Sequence, residues 1–271
     1  MNNLTVITDF TRTAFARIYA QCQSLFSERL IANIEKYLNV TNSLLVPLSA
    51  LIILVAGIVV SIKLSISTPF FGGVGAVFLV FFGDYISEKF HGACRAALEA
   101  NPTSISSPAY LELAGFLNIF LGIGLVCGGV YFGIQSSSFL IFLGCITGAI
   151  LVLLSNVPVI NPHLINMSIA DKSGIASDLI GLFSVNAKSG LYFSTLFSRL
   201  LTITGAVLIV VAIYKIMTAK GYVMFAALSD GGIAVAVLFA GLFYPVIAYF
   251  FFMIVFFIAD ILLAILSMKK S

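Results

Sequence analysis

Long apolar runs separated by short polar breaks dominate this chain. They extend roughly from Leu44 to Ile62, Pro69 to Ile86, Leu111 to Gly133, Ser138 to Ile160 and Leu191 to Tyr214, and a last run from Gly231 to Ser267 holds one charged residue, Asp260. A helix crossing a hydrocarbon core of about 30 Å needs about 20 residues, which each run approaches or exceeds. In lipid every backbone N–H and C=O must be satisfied internally, leaving helices or a closed barrel, and runs this continuous lack the alternation of barrel strands. The predicted fold is all-α: a polytopic helical membrane protein with about six transmembrane helices, seven if the last run crosses twice.

The breaks arrange the runs in hairpins. Connections within pairs are short, around Ser65–Thr68, Gln135–Ser137 and Met217–Gly221, whereas the pairs are separated by longer polar segments, Ser87–Tyr110 and Asn161–Gly190. These two loops, 87–110 and 161–190, are predicted to be helical and cytoplasmic. The first continues the second span as good helix formers up to Asn101-Pro102. In the second, Ile175, Leu179, Ile180 and Phe183 recur at helical spacing, as in an amphipathic helix on a membrane surface or against a neighbouring subunit. Residues 1–43 have the same character, with Leu4, Ile7, Phe10, Ala14, Ile18, Cys22 and Leu25 in steps of three and four, so the chain divides into an N-terminal amphipathic segment, 1–43, and a transmembrane domain, 44–268. The closing run would be roughly 55 Å long as one helix, more than a single span uses. It is expected to cross once, tilted and kinked at Pro245, with part of Tyr222–Gly241 shallow or re-entrant on the outer side. The alternative is two spans joined at Tyr244-Pro245.

Composition sharpens this picture without changing it. Hydrophobic residues make up 61% and charged residues 9%, with a mean hydropathy of +1.13, which excludes a water-soluble domain. A net charge of +3 with scattered Lys and Arg offers nothing to nucleic acid. Charged residues at short intervals over the first forty positions leave no apolar core for a cleavable signal, so the N-terminus is expected to be retained. On the six-span reading most Lys and Arg, including Arg12, Arg17, Lys89, Arg95, Lys172 and Lys188, lie on one side, facing only Lys63, Lys215 and Lys220. Positive-inside bias then puts the N-terminus and both long loops in the cytoplasm, and the expected location is a bacterial inner membrane.

Candidate chemistry is sparse. Catalytic motifs are missing, and with only His91 and His163 no histidine pair at metal-ligand spacing exists, so no catalytic, cofactor or metal site is expected. Four cysteines without a CxxC pair suit packing roles. Two ionisable residues stand out at depth, Arg199 and Asp260, which fall at similar depth on the six-span reading and form a candidate intramembrane ion pair. Gly124, Gly128, Gly129 and Gly133 in the third span and Gly144 and Gly148 in the fourth carry the small-xxx-small spacing that brings helices close. Few polar residues lie within the spans, so the expected function is that of a non-catalytic membrane subunit. Beyond the lipid bilayer, it would meet protein partners, or further copies of itself, through the N-terminal helix and the glycine-rich spans, in a secretion or transport complex. The alternative is a self-contained transporter or channel for a small solute or ion.

Overall fold

The structure is a computed structural model that describes residues 28–106, 108–136, 139–169, 175–218 and 223–268, with scattered positions before residue 25. It is nearly all helical. Helix α1 spans Glu28–Leu64 and α2 Thr68–Ala100; strand β1, Thr103–Ile105, follows. Next come α3, Ala109–Gln135, α4, Phe139–Ser155, and the single turn α5, Val157–Ile160. A 3-10 turn at Pro162–Ile165 leads to β2, Met167–Ile169. The chain closes with α6, Ile175–Thr218, and α7, Val223–Met268. Among the described residues five helices, α1, α2, α3, α6 and α7, are long and apolar enough to cross a membrane, as an integral membrane protein requires.

Several sequence expectations change at this level. The final run is one uninterrupted helix, α7, which continues through Gly231-Gly232 and Pro245 without a break. The amphipathic stretch at Ile175–Phe183 is the first part of α6, continuous with the span that follows. Helix α1 likewise begins at Glu28, well before Leu44, while most of the N-terminal pattern, Cys22 included, lies outside the described residues. The run from Ser138 to Ile160 is divided, since α4 stops at Ser155 and Pro158 sits in the first turn of α5. The fold is also not purely α. Strands β1 and β2 pair in parallel, Thr103 opposite Met167 and Ile105 opposite Ile169, joining the two long loops.

The chain falls into two compact units. The first comprises Met1–Ala32, Leu98–Phe193 and Ile254–Ser271, the second Asn33–Ala97 and Ser194–Met253. In the first unit the hairpin of α3 and α4 is joined by the strand pair. Gly129 lies so close to α4 that a Cβ there would be 2.5 Å from the Cβ of Cys145, and at Gly133 one would be 3.0 Å from that of Phe142. Around Gly124 and Gly128 there is open space, the surroundings of Gly144 lie outside the described residues, and at Gly148 a Cβ would make an ordinary contact with Leu125. Asn156, fully buried at the α4–α5 break, donates to Gly115 O at 3.0 Å and accepts from Asn118 Nδ2 at 3.2 Å. A buried amide left unpaired would be costly, so this network fixes where α4 ends against α3.

The second unit has its core where Val46 and Ile53 of α1, Val80 of α2, Ile209 of α6 and Leu238 and Leu242 of α7 meet. Its closest approach is at the α6–α7 crossing. A Cβ at Gly205 would lie 2.5 Å from Leu238 N, and one at Gly241 would lie 2.5 Å from Thr202 N. These two glycines, neither in a small-xxx-small pair singled out from the sequence, let the backbones touch. Pro245 lacks the N–H that would bond Gly241 O one turn back, and Ser198 of α6 supplies the missing donor, Oγ to Gly241 O at 2.8 Å. That replacement lets α7 continue through a buried proline.

Candidate functional site

The second unit holds a polar pocket of about 260 Å³ between helices that are otherwise apolar. Helix α2 contributes most of it. Glu88, His91 and Arg95 follow each other at steps of three and four, so they share one edge of the helix, and Asp84 continues that edge by one turn. Buried Ser87 and Cys94 lie on the adjoining face, so the ionisable row flanks the packed side of α2. Helix α6 supplies Thr195 and Arg199, one turn apart, and α1 supplies Asn39.

The charges balance in sign but not in hydrogen bonding. Arg95 Nη2 approaches Glu35 Oε2 at 3.8 Å with Arg95 largely exposed, a loose pair that contributes at most about 1 kcal/mol. Arg199 is half-buried and feels Glu35, Glu88 and Arg95 electrostatically, without a hydrogen bond to any described residue. Both ring nitrogens of His91 are buried and have no hydrogen-bond partner among the described residues. A buried polar atom without a partner costs about 1–3 kcal/mol, so this pocket is built to be filled by water or by a polar group from elsewhere. It has donors to offer an oxygen-rich group. Among the described residues no three His, Cys, Asp or Glu side chains gather as a metal site.

Arg199 and Asp260, the candidate ion pair, fall in different units, each with its own surroundings. Arg199 lines the pocket just described; Asp260 is exposed and lines a cavity of the first unit with Asn101, Thr103, Ser104 and Ser168. Pro245, the candidate kink, is buried in the second unit, where its carbonyl lies 3.7 Å from Cys94 Sγ. The burial of the His91 ring nitrogens comes from neighbours on other helices, which spacing along α2 alone does not reveal.

Other cations have local structural work. Lys188, counted as a loop charge in the orientation argument, is completely buried; its Nζ donates to Asn101 O, to Thr103 Oγ1 at 2.9 Å and to Asn166 O at 3.1 Å. It therefore joins the end of α2 to the approach to β2, where Asn166, at φ 51°, also donates to Glu99 O at 2.8 Å. Lys63 Nζ donates to Ile216 O at 2.6 Å and Met217 O at 3.0 Å, the free carbonyls at the C-terminus of α6. Lys215 pairs with Asp230 at 2.6 Å. No family model, no curated protein and no solved structure matches this chain.

Proposed function

We propose that this protein is a non-catalytic, multi-spanning membrane subunit that assembles with partners in a larger membrane complex of the secretion or transport type. The observation that carries this reading is the polar pocket of α1, α2 and α6, where among the described residues neither the buried His91 ring nitrogens nor Arg199 has a hydrogen-bond partner, beside exposed Glu88 and Arg95. Such groups on membrane-spanning helices call for protein or water cover, and a polar side chain from a partner supplies it. In this reading the N-terminus and the two long loops face the cytoplasm of a bacterial inner membrane, where residues 1–43 add a docking element. Extraction in mild detergent tests it. The protein is expected to co-purify with other membrane proteins and to lose them when residues 1–38 are deleted. Recovery as a lone, stable monomer overturns it.

A second reading, a self-contained transporter or channel, draws on a specific feature of the same unit. A cleft of about 240 Å³ is walled by Gly57, Pro69, Gly72, Gly73 and Gly231, where small residues leave room for a solute or a moving backbone. Flux of a small solute or ion into liposomes containing the purified protein alone, abolished by His91→Ala, would favour this reading over the first.

A further inference from the structure

We propose that the first unit binds one membrane phospholipid with a primary-ammonium headgroup, its ammonium on the Asp260 carboxylate and an acyl chain in the adjoining apolar slot. Two cavities meet here and share Ile180 and Ala259 as common walls. One, of about 500 Å³, is polar, walled by Asn101, Thr103, Ser104, Ser168 and Asp260; the other, of about 360 Å³, is lined by Phe183, Val255, Ile258, Leu262 and Ile265. Helix periodicity builds the division. On α7, Val255, Ile258, Leu262 and Ile265 form one stripe, Phe256 and Asp260 form the next, and Ala259 stands on the boundary.

The polar half is held open by the strand pair. Gly181 of α6 lies so close to β1 that a Cβ would be 2.7 Å from Ser104 O, which brings the strand's oxygens and hydroxyls to the mouth of the slot. Among the described lining residues Asp260 is the sole charge; Asn101, Thr103, Ser104 and Ser168 are neutral donors and acceptors, and the Lys188 ammonium behind them is taken up by Asn101 O and Thr103 Oγ1. A carboxylate within a membrane-spanning helix is costly unless compensated, and a ligand that brings its own cation compensates it. The occupant must therefore be amphiphilic, with apolar length for the slot and an ammonium for Asp260. Its phosphate and ester oxygens would then lie within reach of the Thr103, Ser104 and Ser168 hydroxyls. A phospholipid with a primary amine meets every part, since its –NH3+ can donate to the carboxylate. A phosphatidylglycerol of the same chains fills the slot but brings only an anion.

Native mass spectrometry of the full-length protein, exchanged into detergent with phosphatidylethanolamine and phosphatidylglycerol of matched chains, tests this. The wild type is expected to retain the ethanolamine lipid about tenfold over the glycerol lipid, the ratio expected of one charge-assisted hydrogen bond. Asp260→Asn should bring the ratio near one while lipid remains bound, and Asp260→Glu, which keeps the charge, should preserve the preference. Ile258→Trp, which fills the slot, should lower retention of both lipids. Equal retention of the two lipids by the wild type, as from a non-selective annular shell, overturns the proposal, as does an unchanged preference in Asp260→Asn. If Asp260→Asn fails to fold, the wild-type ratio and Ile258→Trp decide. Loss of co-purifying proteins on deleting residues 1–38 is a separate readout, so the two proposals stand or fall independently.

Discussion

At the scale of single residues, stability turns on polar side chains that complete hydrogen bonds the backbone cannot close. Ser198 stands in for the amide missing at Pro245, so Ser198→Ala leaves Gly241 O unpaired and should destabilise the protein by about 1 kcal/mol. Pro245→Ala restores the amide. In that background the same Ser198→Ala change should have a smaller effect, and a double-mutant cycle read by thermal or denaturant unfolding in detergent measures the coupling. Lys188 carries a larger share. Lys188→Met removes the donor from three oxygens and should cost about 3 kcal/mol or more, whereas Arg95→Ala, which breaks a long exposed pair, should change stability by less than about 1 kcal/mol. Comparable losses in the two variants would mean that Lys188 is not the fastener its geometry implies.

At the scale of elements, the glycines separate into those that permit contact and those that do not. Gly205→Ala and Gly241→Ala each put a methyl within 2.6 Å of a backbone atom of the facing helix and should greatly reduce the yield of folded protein. Gly128→Ala, with open space around it, should be neutral or slightly stabilising, by up to about 1 kcal/mol from better helix propensity. Size-exclusion profiles and melting curves of the three variants check this ordering. The contrast also marks what the sequence could reveal. Apolar runs located five long apolar helices and Asn101-Pro102 the end of α2, because burial in lipid and the chemistry of proline act locally, whereas the expected span at Ser138–Ile160 is divided at Ser155. Spacing alone singled out Gly124 and Gly128 along with Gly129 and Gly133, since which side of α3 meets α4 depends on the partner. Gly205 and Gly241 stand without a small-xxx-small mate in their own helices, so their role appears only once α6 and α7 are side by side. The three-residue strands carry too little pattern to announce a pairing, and the His91 pocket draws on three separate helices.

At the scale of the whole molecule, the unbroken α7 bears on how often the chain crosses the membrane. One helix running through Tyr244-Pro245 without a turn is expected to cross once. A cysteine introduced at Lys220 and one at Ser271, in a background without Cys22, Cys94, Cys127 and Cys145, should then react with a membrane-impermeant maleimide from opposite sides. Labelling of both from the same side would establish the two-span alternative. The division into two units, with boundaries inside α1, α2, α6 and α7, shows that sequence order alone does not define the compact parts. The buried lysine also constrains the order of events during synthesis. Asn101 and Lys188 are 87 residues apart, so at ~5–20 residues per second the end of α2 is made roughly 4–17 s before its fastener. Until Met167–Ile169 is made β1 has no partner strand, and until Lys188 is made the oxygens of Asn101 and Thr103 must stay hydrated or be shielded by the insertion machinery. The join between the long loops therefore cannot close until Lys188 is made, yet it can close before the α6–α7 crossing at Gly205 and Gly241, whose second helix is still to be synthesised.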